Sequence, residues 1–265
     1  MMETQVIRRA RESGYTLAEL LIVMAVLGFV MAAVLGIYQT TQRSYLFAAA
    51  GEDAQLSARA VLDRIVSEFR MINSGRAVST GAITAATATS ITFLADINND
   101  TLTSGGADAT LAALASSGAT TVQVSSGSGF SAGELLSIAD GAISETQSVS
   151  AVSGTTLTLG AGLSTWYPAG SVVRSVETVT YNLNSGSLTR AVGGSGAQTI
   201  AAGVTTFQIT YWDGSVPPVQ ITDVSSQGNR DNVREIRVQL TVTSQFGDQT
   251  VTRTMSSSVR PRNLF

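Results

Sequence analysis

One carboxylate stands at the start of an otherwise apolar run. Glu19 lies in Tyr15-Thr16-Leu17-Ala18-Glu19-Leu20-Leu21, and no side chain from Leu20 to Ile37 is polar. A carboxylate in a membrane-inserted helix costs about 2.5–3.5 kcal/mol on translocon-type scales. Glu19 therefore needs a partner. The nearest basic groups in the sequence are Arg11 and, if the chain is cut after Gly14, the new α-amino group of Tyr15. A second constellation, Asp96-x-Asn98-x-Asp100, has the oxygen spacing of the first half of a calcium loop. It carries Thr101 where such a loop turns on glycine, and Ala107 where a bidentate Glu would close it. Asx-rich turns of this kind are more often plain turns. Calcium is the one cofactor left open, and none is otherwise expected.

The missing residue types narrow the chemistry further. The 265-residue chain has no His and no Cys, and all sixteen of its basic residues are Arg. Without His or Cys, Ser-His-Asp and Cys-His nucleophile systems cannot be built. Without Lys there is neither a Ser-Lys dyad nor a phosphate-binding loop of the P-loop type. Imidazole and thiolate metal sites are excluded as well. Only carboxylate chemistry or hard-cation binding remains, so an enzyme is not expected. Net charge is −3 with 13% charged residues, which gives no nucleic-acid footprint. Arg230, Arg234 and Arg237 are offset by Asp231 and Glu235 and read as a solvated strand face. Trp166-Tyr167 and Tyr211-Trp212 are candidate aromatic contact points, though aromatics on strand patterns are more often core.

These residues need elements to hold them. As a helix, Tyr15 to Ile37 spans roughly 34 Å, enough for a hydrocarbon core of about 30 Å. Arg8, Arg9 and Arg11 precede it, and the first acidic pair after it is Glu52-Asp53. The positive-inside bias puts the N-terminus in the cytoplasm and the rest across the membrane. A plain anchor and a cleaved secretory signal ending at Ala48-Ala49-Ala50 are the simpler readings. The apolar run is too long for the second, and the first leaves Gly14 before Tyr-Thr-Leu-x-Glu unexplained. Leu56, Leu62, Ile65, Val66, Phe69 and Ile72 continue at helical spacing, predicting one helix from about Thr16 to Ile72 with an amphipathic second half. Asn73-Ser74-Gly75 should stop it.

Beyond Gly75 the texture turns to Ser, Thr, Gly and Val. Strands are predicted at 90–95, 120–125, 134–139, 145–152, 155–159, 171–176, 178–183, 187–192, 205–212, 234–244 and 249–259. The last two flank Phe246-Gly247-Asp248 as a long closing hairpin. The fold class is α+β: a long N-terminal helix on an antiparallel sheet.

The junction Gly14-Tyr15-Thr16-Leu17-x-Glu19-Leu20 resembles the processing site of type IV pilins and pseudopilins. The resemblance implies that a prepilin peptidase cuts after Gly14 and that the amine of Tyr15 is N-methylated. It implies that Glu19, at the fifth mature position, pairs in assembly with the N-terminal amine of a neighbouring subunit. Tyr15 replaces the usual Phe. Gly36 stands where many major pilins have a kinking proline, which argues against a major pilin. Thr92-Phe93-x-Ala95-Asp96-Ile97-Asn98, Val179-Thr180-Tyr181-Asn182-Leu183 with Leu188-Thr189-Arg190, and the terminal Arg262-Asn263-Leu264 resemble PilW/PulJ-type minor pilins over 76–102 and 176–265. Between those stretches lie about 70 residues with their own rhythm, similar to small β-modules of surface and tail-fibre proteins.

The organisation expected is thus a leader (1–14), a transmembrane and assembly helix (15–37), an amphipathic helix with the start of the globular domain (38–102), an inserted β subdomain (103–175) and a pilin sheet domain (176–265). More strands of one continuous sheet are the alternative to an insertion. The expected function is a minor pilin that helps initiate or cap filament assembly, in adhesion and motility. A minor pseudopilin of a type II secretion system, or a surface ligand-binding module carried on a pilin helix, are the other readings. Prepilin peptidase, major and minor pilins and an inner-membrane assembly platform are the implied partners, with no nucleic acid. The chain would sit in the inner membrane before assembly and in a surface pilus or periplasmic pseudopilus afterwards.

Overall fold

Helix formation begins where the sequence supplies a reciprocal cap, and it runs without a proline to Arg70. In the computed structural model, which describes residues 15–76, 80–97, 109–141, 143–193, 195–246 and 249–264, α1 spans Leu17–Arg70 as 54 residues. No α1 residue before Gly51 is buried. From there Ala54, Ala58, Val61, Leu62, Ile65, Val66 and Phe69 form one buried stripe, recurring every three to four residues as one face of a helix must. Leu56, expected on that stripe, is 66% exposed. Two residues before Ala58 is roughly 200° around the helix, which puts it on the far side.

The helix ends at Asn73, which adopts φ 68°, the left-handed conformation that asparagine tolerates at a C-terminus. The chain's last residues cover the exposed carbonyls there. Arg262 N donates to Arg70 O at 3.4 Å, Asn263 Nδ2 to Ile72 O at 3.4 Å, and Asn73 Nδ2 to Asn263 O at 2.8 Å. Leu264 is buried beside them. Gly75 follows at φ +77°, where an added Cβ would lie 2.8 Å from Asp96 Cβ. Glycine is needed there for both reasons.

The strands are β1 (Ile83–Ala86), β2 (Ser90–Ala95), β3 (Ala109–Thr110), β4 (Thr121–Gln123), β5 (Leu135–Asp140), β6 (Ile143–Ser153), β7 (Thr156–Leu159), β8 (Val172–Asn184), β9 (Ser187–Val192), β10 (Gln198–Ala202), β11 (Val204–Trp212), β12 (Gln220–Ile221), β13 (Glu235–Phe246) and β14 (Gln249–Val259), with a short α2 (Gln227–Asp231) before β13. Ten form one sheet with the path β1-β2-β8-β5-β6-β7-β4, to which β3, β9 and β10 attach; the others form a second sheet ordered β12-β11-β13-β14. All named pairings are antiparallel.

The strands expected at 171–176 and 178–183 are one strand, β8. Glu177, between the two expected strands, stays in the ladder opposite Ala95, and its Oε2 accepts from Ile97 N at 3.0 Å. The expected boundary at residues 175 and 176 therefore falls inside a continuous strand. The half before it pairs with β5 and the half after it with β2 and β9.

The described chain divides into two compact units, Met1–Ala49 and Ala50–Phe265. Within the second, apolar side chains form two clusters. One joins α1, β1, β2, the end of β8, β9 and the second sheet, around Ile65, Phe69, Phe93, Tyr181, Phe207 and Leu240. Phe69 meets Phe93 and Tyr181 edge to face, with centroids 5.6 and 5.7 Å apart. The other draws its buried members only from between Ala109 and Val173, around Leu136, Ile138, Leu157, Tyr167 and Val173.

Candidate functional site

The start of α1 is built by Thr16 and Glu19. Thr16 N donates to Glu19 Oε2 at 2.9 Å, Thr16 Oγ1 to the same oxygen at 3.1 Å, and Glu19 N to Thr16 Oγ1 at 3.3 Å. This is a capping box, in which the first residue and the third helical residue satisfy each other's free N–H groups. These bonds come from two groups of Thr16 that sequence reasoning, which sought a basic partner for Glu19, did not consider. The signal was present: Thr-x-x-Glu directly before an apolar run. Gly14 and Arg11 lie outside the described residues. Tyr15 is exposed.

Beyond the cap, α1 offers a surface that no described residue buries. Its most apolar 18-residue window has mean hydropathy 2.9 and is 0% buried, long and apolar enough to cross a membrane. Leu20, Ile22, Val23, Leu27, Phe29 and Leu35 are each more than half exposed. In water such a face would be an aggregation site; in a bilayer or a helix bundle it is satisfied.

The second half of α1 buries one charge. Glu68 is 6% exposed and accepts from Tyr181 OH at 2.6 Å, from Arg190 Nε at 2.9 Å and from Arg64 Nε at 3.2 Å. Burial, followed by the bond to Glu68, drives the Tyr181 phenol well above its ordinary range, so it stays a donor. This cluster ties the helix to β8 and β9, and sequence reasoning missed it. A glutamate in an amphipathic helix is expected on its solvated side, yet Glu68 lies three residues from Ile65, on the buried stripe.

Asp96 is buried. Its backbone is bound to Ser74, with Asp96 N donating to Ser74 O at 3.1 Å and Ser74 Oγ to Asp96 O at 2.9 Å. Asn98 and Asp100 lie outside the described residues. Among the described residues no group of three His, Cys, Asp or Glu side chains converges as a metal site.

The aromatic pairs divide. Tyr167 and Tyr211 are core, and Tyr211 OH donates to Thr87 O at 2.9 Å. Trp166 is 60% exposed. Trp212 is half-buried beneath the Arg237 guanidinium, 3.9 Å from the ring centroid. Arg237 lies exposed on β13 as expected, but Arg230 and Arg234 depart from a solvated strand face. Arg230 lies in α2 and is half-buried; it donates to Ile83 O at 3.0 Å, Val224 O at 2.9 Å and Gln227 Oε1 at 2.8 Å. Arg234 bonds the carbonyls of Asp231 and Val233 at 2.7 and 2.8 Å. Backbone carbonyls left over at strand and helix ends, rather than solvent, take these guanidinium donors. Arg237 and Arg260 flank Glu235, at 2.7 and 3.0 Å.

The N-terminal segment matches the model of the prokaryotic N-terminal methylation motif over residues 9–35. No curated protein and no solved structure matches the chain. The motif, with the α+β architecture behind it, supports a type IV pilin-like chain and indicates a pilin or pseudopilin; it implies processing by a prepilin peptidase and assembly with other pilins. Its apolar N-terminal helix fits an inner-membrane anchor.

Proposed function

We propose that this chain is a minor pilin of the PilW/PulJ type, cut after Gly14, methylated at Tyr15, and used to initiate or cap a type IV pilus in adhesion and motility. The observation that carries the reading is the first part of α1: an apolar helix with no buried residue before Gly51, whose one carboxylate sits at its start, held by Thr16. Such a helix passes from lipid to a bundle of like helices without losing apolar burial. A carboxylate at its end is then placed to meet an amine exposed by cleavage, since two charges costly in an apolar bundle offset each other only as a well-formed pair. The minor-pilin assignment rests on Gly36 in place of a proline and on the Arg262-Asn263-Leu264 ending, which here seals the C-terminus of α1. In a secretion system the same parts would serve a pseudopilus.

The residues from 103 to 175 are read as an accessory β subdomain. Their separate apolar cluster supports this, and the exposed Leu114 and Trp166 favour a second reading in which that part contacts a ligand. Calcium at Asp96, Asn98 and Asp100 stays a proposal, tested by calorimetry of the wild type against Asp96→Ala.

The cap and the assembly charge are separable at Glu19. Glu19→Gln keeps an oxygen acceptor for Thr16 N but removes the charge, whereas Glu19→Val removes both. Expressed in the native host, both variants should be cut to a chain beginning at Tyr15, seen by mass, and both should be depleted from purified filaments. Gly14→Ala should leave uncut precursor in the inner membrane. Wild-type incorporation of Glu19→Gln would sink the charge-pairing role, and mature protein from Gly14→Ala would sink the processing claim.

A further inference from the structure

Among the described residues, the second sheet ends on an open edge. β14 pairs with β13 along all 11 of its residues, from Ile236↔Val259 to Phe246↔Gln249, with no register shift. Which β14 groups face outward follows from β13. Thr243 N donates to Gly203 O at 2.7 Å, on the β11 side. Its partner Thr252 therefore sits in a non-hydrogen-bonded pair and turns its N–H and C=O away from β13. The alternation of a strand gives Thr250, Thr254, Ser256 and Ser258 the same outward backbone. None of these N–H groups has a protein acceptor among the described residues; one outward carbonyl, that of Thr252, accepts from Arg253 Nη1 at 3.4 Å.

Natural sheets blunt such edges with proline, inward charges, bulges or covering loops. β14 has no proline and no bulge, and its one charge, Arg253, lies on the inward face beside Gly51. The opposite edge of the same sheet is covered: Ile209 N donates to Ala88 O at 2.8 Å, and Tyr211 and Trp212 pair with β12.

We propose that the outer edge of β14 is a strand-addition site for an extended, carboxylate-bearing segment of another polypeptide. Main-chain bonds to the outward groups would give affinity, as in other strand additions. Charge gives the choice of occupant. From Gln249 to Leu264 there is no acidic residue, while Arg253, Arg260 and Arg262 are all basic and exposed. Arg260 is already paired with Glu235, which leaves Arg253, midway along the strand on the same face as Val251 and with its guanidinium beside Gly51 of α1, as the residue a partner carboxylate would meet. A second copy of β14 fits less well, because antiparallel self-pairing about Thr254 sets the two Arg253 side chains diagonally across the new ladder.

The test uses the full-length protein in detergent micelles and a labelled peptide, acetyl-Thr-Val-Thr-Glu-Thr-Val-Thr-amide. Saturable binding by fluorescence anisotropy is expected. It should weaken about tenfold when Lys replaces the peptide Glu, and vanish when the peptide backbone is N-methylated. The double variant T252P/S256P loses two outward N–H groups and keeps the pairing to β13, because edge proline with its nitrogen outward is tolerated. It should keep the wild-type circular dichroism and lose binding. Absence of saturable binding, equal binding of the N-methylated peptide, or wild-type binding by a folded T252P/S256P would each overturn the proposal. So would a dimer in sedimentation that T252P/S256P abolishes, since the occupant would then be a second copy.

Discussion

Glu19, Glu68 and Glu235 show how one residue type is used three ways in a chain with few charges. Glu19 is a helix cap, Glu68 a buried tie between helix and sheet, and Glu235 a clasp for two arginines. Glu235 is the one whose ionisation should report on stability. The bond from Arg237, with burial opposing and Arg260 adding, holds its carboxyl below the ordinary value of 4.5. A group with a lowered folded-state value binds its proton more readily in the unfolded chain. It therefore stabilises the fold above pH 4.5 and loses that contribution as pH falls through its folded-state value. Denaturant melts of the wild type should thus weaken on acidification below about pH 4.5, and Glu235→Gln should remove part of that slope. A variant with the wild-type pH dependence would contradict the assignment. The sequence concealed these roles because a glutamate's task depends on which face it occupies. Glu68 and Asp63 look alike in the chain, yet Asp63 is exposed and Glu68 is buried.

At the scale of elements, α1 is two helices in energetic terms. One half is apolar all round and has no buried residue. The other places Ala58, Ile65 and Phe69 at 0% exposure. Phe69→Ala should therefore cost about 3–5 kcal/mol, because it empties a site shared with Phe93 and Tyr181. Leu27→Ala should leave the thermal midpoint of the detergent-solubilised protein unchanged. Equal effects from the two would show that the halves are not energetically distinct. The helix was legible almost to its ends, since its apolar run, its helical spacing and the Asn73-Ser74-Gly75 stop agree. The strands at 90–95, 187–192 and 249–259 were legible to the residue. Short edge strands such as β3 and β12 were not, because two residues carry no period. The continuity of β8 through Glu177 was not legible, because the Ile97 N–H that binds its carboxylate comes from a distant part of the chain.

At the scale of the whole molecule, the globular unit has two apolar centres and one strand common to both. β8 supplies Val173 to one cluster and Val179 and Tyr181 to the other. A core truncation should be felt mainly on its own side. Leu136→Ala should cost about 2–5 kcal/mol and speed hydrogen exchange in β5, β6 and β7 while leaving β11 and β13 protected. Uniform acceleration in both sheets would mean that the unit melts as one. From sequence the stretch around 103–175 could be separated by its texture, but the way it joins the rest could not, because the same strand carries apolar residues for both centres.

The shared strand also sets how the unit would bear load. A pull applied at the second cluster and resisted at the first runs lengthwise through β8. The hydrogen bonds from β5 on one half, and from β2 and β9 on the other, lie across that line. They are strained in shear and must fail together, whereas a hairpin pulled from its open end parts one bond at a time. In a filament under tension, β8 would act as a tendon.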